Sequence, residues 1–131
     1  MIVVDASALL ELLLQTALGS RVEARLFRDG DEFHAPDLAD VELTQGLRRL
    51  VRAGEVSPAR AAEALADLAD LDLHRHPHLD LLTRAWKLRE NVTAYDAMYV
   101  ALAEALEASL VTCDRALAST AGHRATIEAI A

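Results

Sequence analysis

Two acids in this chain stand just past an apolar run. Asp5 follows Ile2-Val3-Val4, and Asp114 follows Leu110-Val111-Thr112 with only Cys113 between. In open α/β sheets, ligands bind in the crevice beyond the carboxyl ends of the strands, so both carboxylates are expected to face one crevice. Oxygen donors placed that way suit a hard divalent cation, which takes one or two carboxylates together with water and substrate phosphate. Each acid also has a plain role open to it, because Asp ahead of a helix is a good N-cap. The recurrence of the arrangement at two places is what favours a shared site. Two further acids are ambiguous by themselves. Asp96 ends Thr93-Ala-Tyr-Asp96, a capping-box pattern, and Glu42 lies between Val41 and Leu43 on a helix expected to pack on the sheet.

For these acids to meet, strands must alternate with helices. Residues 2–5 are an all-apolar run ending on the acid, the kind found where helices cover both faces of a parallel sheet. Ala8, Leu9, Leu12 and Leu13 form one helical stripe, and Gly19-Ser20 punctuates before a second helical piece that reaches Arg28. Asp29-Gly30-Asp31 is a turn signal; residues 32–35 make a second strand, ended by Pro36. Asp37, with Asp40 three residues on, predicts the capped start of a helix that carries Glu42 and runs to Arg52, stopped by Gly54. Ser57-Pro58 opens another helix, to Asp70. The two form a hairpin that is either a dimer surface or a cover for the core.

Residues 71–74 alternate as a short strand would, closed by Pro77. Helices are expected over 79–90 and 94–107, the second with Tyr95, Tyr99, Leu102 and Leu106 on one face. A strand over 109–112, a short helix after Asp114 and an edge strand over 126–130 complete the chain. This order predicts a three-layer α/β/α fold with a central, mostly parallel sheet, formed by residues 1–131 as one domain.

Composition sets bounds. A chain of 131 residues buries roughly two-thirds of its unfolded surface, enough for a core without staples. One cysteine excludes an internal disulfide. No apolar stretch approaches the roughly 20 residues that span a bilayer, and the opening run lacks the basic flank of a secretory signal. The chain is therefore expected in the cytoplasm, away from membranes. A net charge of -8 argues against a protein that grips nucleic acid by a basic surface. Twelve of its thirteen basic residues are Arg, however, the side chain suited to bidentate phosphate contacts, although most are expected to pair with nearby acids on helix faces.

Taken together, PDLADVEL, TAYDAMYVALAEAL and LVTCDRAL, with VVDAS at the N-terminus, resemble in order and spacing the motifs of PIN-domain nucleases, in particular the small VapC-type toxins of toxin-antitoxin pairs. The resemblance runs from Ile2 to about Leu117. It implies an acidic quartet of Asp5, Glu42, Asp96 and Asp114, which would bind metal and carry catalysis, with Ser7 and Thr112 as polar supports. It further implies a Mg²⁺-dependent endoribonuclease, Mn²⁺ being an alternative ion, that cleaves RNA phosphodiester bonds by metal-activated water. A cognate antitoxin would wrap the domain and obstruct the acidic crevice, and a homodimer is implied as well. The -8 charge fits a basic inhibitory segment.

Two other readings remain at this stage. Phosphoryl-accepting and phosphatase domains also place Asp after a parallel strand, but a haloacid-dehalogenase pattern wants an acid where Ser7 stands, and a receiver domain wants a Lys after a late strand, whereas Lys87 lies within a helix. A binding module could use the same pocket without chemistry. The tract His74-Arg-His76-Pro-His78 has the spacing of a transition-metal site on a strand, yet Pro77 interrupts it and no acid or cysteine completes a set nearby. It is expected to be an exposed strand end or an RNA-facing patch. Cys113 is expected to be a buried small hydrophobe, and Trp86 a core residue.

Overall fold

The computed structural model describes residues 1–131. Five strands, β1 (Ile2–Val4), β2 (Phe33–Pro36), β3 (Leu73–His76), β4 (Ser109–Thr112) and β5 (Ile127–Ala129), form one all-parallel sheet in the order β3-β2-β1-β4-β5. From β1 the chain steps outward to β2 and β3, then returns across the sheet to β4 and steps the other way to β5. Strand order therefore reverses between β1 and β4, and a crevice opens there at the carboxyl ends of the strands.

Seven helices cover the sheet: α1 (Ala6–Leu14), α2 (Ala17–Leu26), α3 (Leu38–Arg52), α4 (Pro58–Asp70), α5 (Leu82–Lys87), α6 (Ala94–Leu106) and α7 (Arg115–Ala118). Right-handed crossovers place α1 to α4 on one face and α5 to α7 on the other. The contacts agree, because α1 touches α2, α3 and α4, while α6 lies along β1, β2 and β4 and against α5. This is the expected three-layer arrangement. One contiguous core of 32 buried residues joins the layers, with Val3, Val4, Leu110 and Val111 at its centre. β1 is buried on both faces, as are Leu110 and Val111 of β4, which is why these stretches are apolar in succession rather than alternating.

Several local expectations are corrected. The break between α1 and α2 falls at Gln15, which is left-handed (φ 55°), and at Thr16, whose hydroxyl caps α2 by accepting from Gly19 N (2.9 Å). Gly19 lies inside α2, where the helix crosses α1 so closely that an added Cβ would stand 2.0 Å from the Glu11 carbonyl oxygen. Asp37 does not cap α3: its backbone is already helical, its side chain takes no capping bond, and its N–H extends the ladder to the His76 carbonyl (2.9 Å). Asp40 instead receives a two-pronged contact from Arg75 of β3 (2.7 and 3.0 Å).

β3 begins two residues late because α4 runs to Asp70 and Leu71 caps it, and it stops at His76 because Pro77 follows. β2 runs through Pro36, beyond the last residue paired with β1, so the missing proline N–H removes no ladder bond. The helix expected over 79–90 is a 3₁₀ turn (Leu79–Leu81) followed by the short α5. Trp86 is 68% exposed and Tyr95 61%, so neither is a core residue; the Arg89 guanidinium lies 4.6 Å from the Trp86 ring.

Glu104, buried on α6, ties the second helical layer to the tail. It accepts a fork from Arg84 (2.7 and 3.0 Å) and a bond from the Arg124 N–H (2.9 Å). The last strand is held similarly by Arg25 of α2 on Glu128.

The tightest constraint among these is the α1–α2 crossing, where backbone rather than a flexible side chain occupies the space. Gly19→Ala is expected to destabilise the fold by about 3 kcal/mol, seen as a lower urea midpoint with an unchanged m-value.

Candidate active site

The acids expected to meet do so. Asp5, Glu42, Asp96 and Asp114 line one cleft of about 270 Å³, together with Ala6, Ser7, Leu10, Gly46, Arg49 and Tyr99. Each acid comes from a different element: Asp5 from the β1–α1 junction, Glu42 from the second turn of α3, Asp96 from the first turn of α6, and Asp114 from the β4–α7 junction.

Asp5 is only 5% exposed, and its carboxylate is held from three directions. The Ser7 hydroxyl donates to Oδ1 (2.6 Å), the Ala8 N–H donates to the same oxygen (3.0 Å), and the Thr112 hydroxyl donates to Oδ2. Each hydroxyl also accepts a backbone bond from the residues that follow β4: Ser7 from Cys113 N (2.9 Å) and Thr112 from Asp114 N (3.0 Å). Both hydroxyl protons are thus committed to Asp5, and the 3.3 Å separation of Ser7 and Thr112 is a contact without a proton to share. This lattice laces the end of β1 to the end of β4. Burial outweighs the three donors and raises the Asp5 pKa, with the like charge of Asp114 adding to the rise.

Asp96 is in the opposite condition. Its backbone N–H is capped by the Thr93 hydroxyl (3.2 Å), one half of the expected capping box, but its carboxylate accepts no hydrogen bond. Burial, then the charges of Asp5, Asp114 and Glu42, push its pKa up to about 6. Glu42 accepts a short bond from the Tyr99 hydroxyl (2.6 Å), which links α3 on one face of the sheet to α6 on the other. Burial and the bond to Glu42 raise the Tyr99 pKa, so the phenol keeps its proton and remains a donor. Asp114 is exposed and caps α7 by accepting from Ala116 N (2.9 Å). Capping and cleft-facing are therefore compatible at Asp5 and Asp114 alike.

Beyond Ala6 and Leu10, sequence reasoning missed three residues that shape the cleft. Tyr99, three residues after Asp96 on α6, reads in the sequence only as part of an apolar face; a buried phenol needs a partner, and Glu42 is it. Gly46 and Arg49 fall four and seven residues after Glu42, on the same face of α3, a spacing that was legible.

The remaining candidates do not join this cleft. In the histidine tract, His76 Nε2 hydrogen-bonds His34 Nδ1 (2.8 Å), and His78 Nε2 accepts from Leu38 N (2.8 Å). Only His74 is an exposed strand residue; its ring stacks on His34 at 4.8 Å. An acid does approach, Glu32 at 3.7 Å from His74, contrary to expectation. No cluster there has three ligands arranged to hold an ion. Cys113 is half-buried rather than buried, and desolvation pushes its thiol pKa up to about 11, which leaves it a poor nucleophile.

The donor chemistry of the cleft is that of a hard cation: four carboxylates and no thiolate or imidazole. The half-buried Asp96 oxygens, without any protein donor, lack the compensation that Asp5 has. No three acids already surround a single point, as mutual repulsion favours, so an ion bound here would have to draw the side chains together.

The PIN domain family profile matches residues 2–123. Ribonuclease VapC9 of Mycobacterium tuberculosis is 43% identical over 120 residues, 92% of this chain and 91% of that protein. The chain belongs to the VapC family of PIN domains. Ribonuclease VapC12 of the same organism is 40% identical over 131 residues, the whole of both chains. Among solved structures, a toxin-antitoxin complex from Klebsiella pneumoniae superposes with a TM-score of 0.64 at 16% identity, over 91% of each chain; at that identity the likeness of the VapC-family chain to it is one of fold alone.

Because folded Asp96 holds its proton up to about pH 6, whereas an unfolded Asp releases it near pH 4, the native state binds more protons across that window and stability falls as pH rises through it. Asp96 is only half-buried, so the effect is discounted to about 1 kcal/mol. Urea titrations of the metal-free protein should show this decline, and Asp96→Asn should remove the share of it that Asp96 contributes and be the more stable protein at about pH 7.5, above both values.

Proposed function

We propose that this VapC-family chain is a metal-dependent endoribonuclease acting in the cytoplasm, and that Asp5, Glu42, Asp96 and Asp114 are its metal-binding and catalytic acids, with Ser7 and Thr112 as supports. The observation that carries the reading is the convergence of four carboxylates from four elements into one cleft at the sheet's switch point. The ribonuclease names of VapC9 and VapC12 support it at 43% and 40% identity. The whole chain would act as one domain.

A hard divalent cation, Mg²⁺ or Mn²⁺, supplies Lewis-acid polarisation of a phosphodiester and activation of water. The chain's own residues fix where that happens. Asp5 is locked by the hydroxyls of Ser7 and Thr112, so its oxygens present an unchanging edge to the cleft. Tyr99 holds Glu42 while leaving its other oxygen available. Asp96 carries the opposing demand: it must give up its proton to act as a ligand, and a cation favours that ionised form.

The acidic surface is compatible with a nucleic-acid substrate on this reading, because positive charge is delivered at the site by the ion rather than by a basic face. A small antitoxin is proposed as partner, on the toxin-antitoxin resemblance, with a homodimer as the expected assembly. The phosphatase reading lacks the residues it needs at Ser7 and Lys87, and no observation of the structure favours it.

Purified protein is expected to cut structured RNA in the presence of Mg²⁺ or Mn²⁺, and Asp5→Asn to lose about a hundredfold or more in rate, on the order of a removed electrostatic stabiliser. Either ion should also raise the melting temperature, and in a crystal soaked in Mn²⁺ the anomalous peak should fall among the four acids. Intact RNA together with a melting temperature indifferent to both ions would refute the assignment.

A further inference from the structure

One residue of the acidic cleft has a charge of the opposite sign. Arg49 is the only cation lining a space that Asp5, Glu42, Asp96 and Asp114 also line. The other arginines near acids have partners: Arg25, Arg28, Arg60, Arg75, Arg84, Arg89 and Arg124 each pair with a carboxylate within 4.0 Å. Arg49 makes no ion pair and donates no side-chain hydrogen bond. A guanidinium beside four carboxylates that pairs with none of them is held back by geometry.

That geometry is built into α3. Glu42, Gly46 and Arg49 are spaced at i, i+4 and i+7, within a stripe about 60° wide on the helix. Helical side chains lean toward the N-terminus of their helix, so Arg49 leans back over Gly46 toward the turn that carries Glu42. A Cβ on Gly46 would stand 4.0 Å from Arg49 Nη2 and 3.2 Å from Leu10 Cδ2. The bare backbone at Gly46 therefore forms the floor on which the guanidinium rests, about 6 Å along the axis from Glu42, one turn being about 5.4 Å. The cation stays in the cleft yet short of the acids, with its donors unused.

We propose that Arg49 is the phosphate anchor of this cleft: its guanidinium binds non-bridging oxygens of an RNA phosphodiester adjacent to the one presented to the four acids. The inference rests on the ribonuclease reading for its substrate class, and it assigns the strand a position, running over α3 from the acids toward Arg49. Guanidinium suits this task because its planar fork matches two phosphate oxygens at once, which an ammonium cannot do. Arg48, the next residue toward the N-terminus, is exposed but does not line the cleft. It carries the same charge without the position, and so separates a local contact from a change in net charge.

The test measures binding, without relying on turnover. In an Asp96→Asn background with Mg²⁺, the affinity of a short single-stranded RNA of mixed sequence is measured over a range of salt concentrations. Arg49→Ala is expected to weaken binding about tenfold and to reduce the slope of log affinity against log salt by about 0.7, one phosphate contact on a single strand. Arg49→Lys should restore part of the affinity, and Arg48→Ala should leave both quantities near the parent's. The melting temperature of Arg49→Ala should match that of its parent. Equal losses in the two alanine variants, no loss in Arg49→Ala, or no RNA binding by the parent would each overturn the anchor.

Cleavage by the otherwise unaltered protein is followed separately. RNA cutting with an indifferent Arg49 would remove the anchor and leave the nuclease. Arg49-dependent binding without cutting would leave the anchor and remove the nuclease. Where cutting occurs, Arg49→Ala should raise KM by about tenfold and leave kcat within about twofold, the pattern of a contact made equally in ground and transition states.

Discussion

The site depends on keeping one carboxylate, Asp5, in place at the junction of two neighbouring parallel strands. A buried acid is costly unless its oxygens are satisfied, and here the satisfaction comes from both strands: Ser7 and Ala8 follow β1, and Thr112 ends β4. The same two hydroxyls are pinned by the N–H groups of Cys113 and Asp114. Asp5 therefore cannot move without disturbing the start of α1, the end of β4 and the position of Asp114. A single hydrogen-bonded lattice fixes two of the four acids relative to each other, and the sheet register between Val4 and Val111 fixes the lattice.

The other two acids are positioned by helices from opposite faces of the sheet. α3 and α6 meet over its carboxyl edge through the Tyr99–Glu42 hydrogen bond. This bond does two things at once. It satisfies a phenol whose remainder is buried in the core, and it holds Glu42 toward a region that already contains negative charge. Asp96 has no such tether, so no protein donor offsets the burial and neighbouring charges that raise its pKa. Tethered and untethered acids thus share one cleft, where the tethered ones define its shape and the untethered one responds to what enters it.

Much of this is legible in the sequence, for reasons that also explain what is not. β1 and β4 are runs of buried apolar residues followed by acids, and both pattern and position follow from local sequence. The quartet becomes legible through the family resemblance, since no spacing rule brings Glu42 or Asp96 to Asp5. Local sequence misleads where a tertiary partner overrides a local preference. Asp37 has the right type for a cap, but its N–H is claimed by β3 and Arg75 takes Asp40. Gly19 resembles a helix break, yet its role is the close crossing of α1 and α2. Trp86 falls on a helix and its size argues for the core, although its face of the short α5 is turned outward. The histidine tract looks like a set of ligands, but two of its rings are committed to backbone and imidazole partners supplied by β2 and α3.

Distributing a site over four elements links its integrity to that of the whole fold. Each acid adds repulsion to a cleft that already holds three, so keeping these charges together destabilises the ligand-free chain, and the 32-residue core must offset that cost. A ligand that neutralises the cleft stabilises the native state by mass action, because the unfolded chain has no comparable cluster to offer it. Arg49 does not perform that neutralisation internally: with Gly46 beneath it, the guanidinium stops short of forming an ion pair. Had it paired with Glu42 or Asp96, the fold would gain a surface ion pair of small value and lose both a free cation and a free anion from the cleft. The arrangement retains both charges, close together and unpaired, as the proposed recognition of a polyanion beside a cation would require.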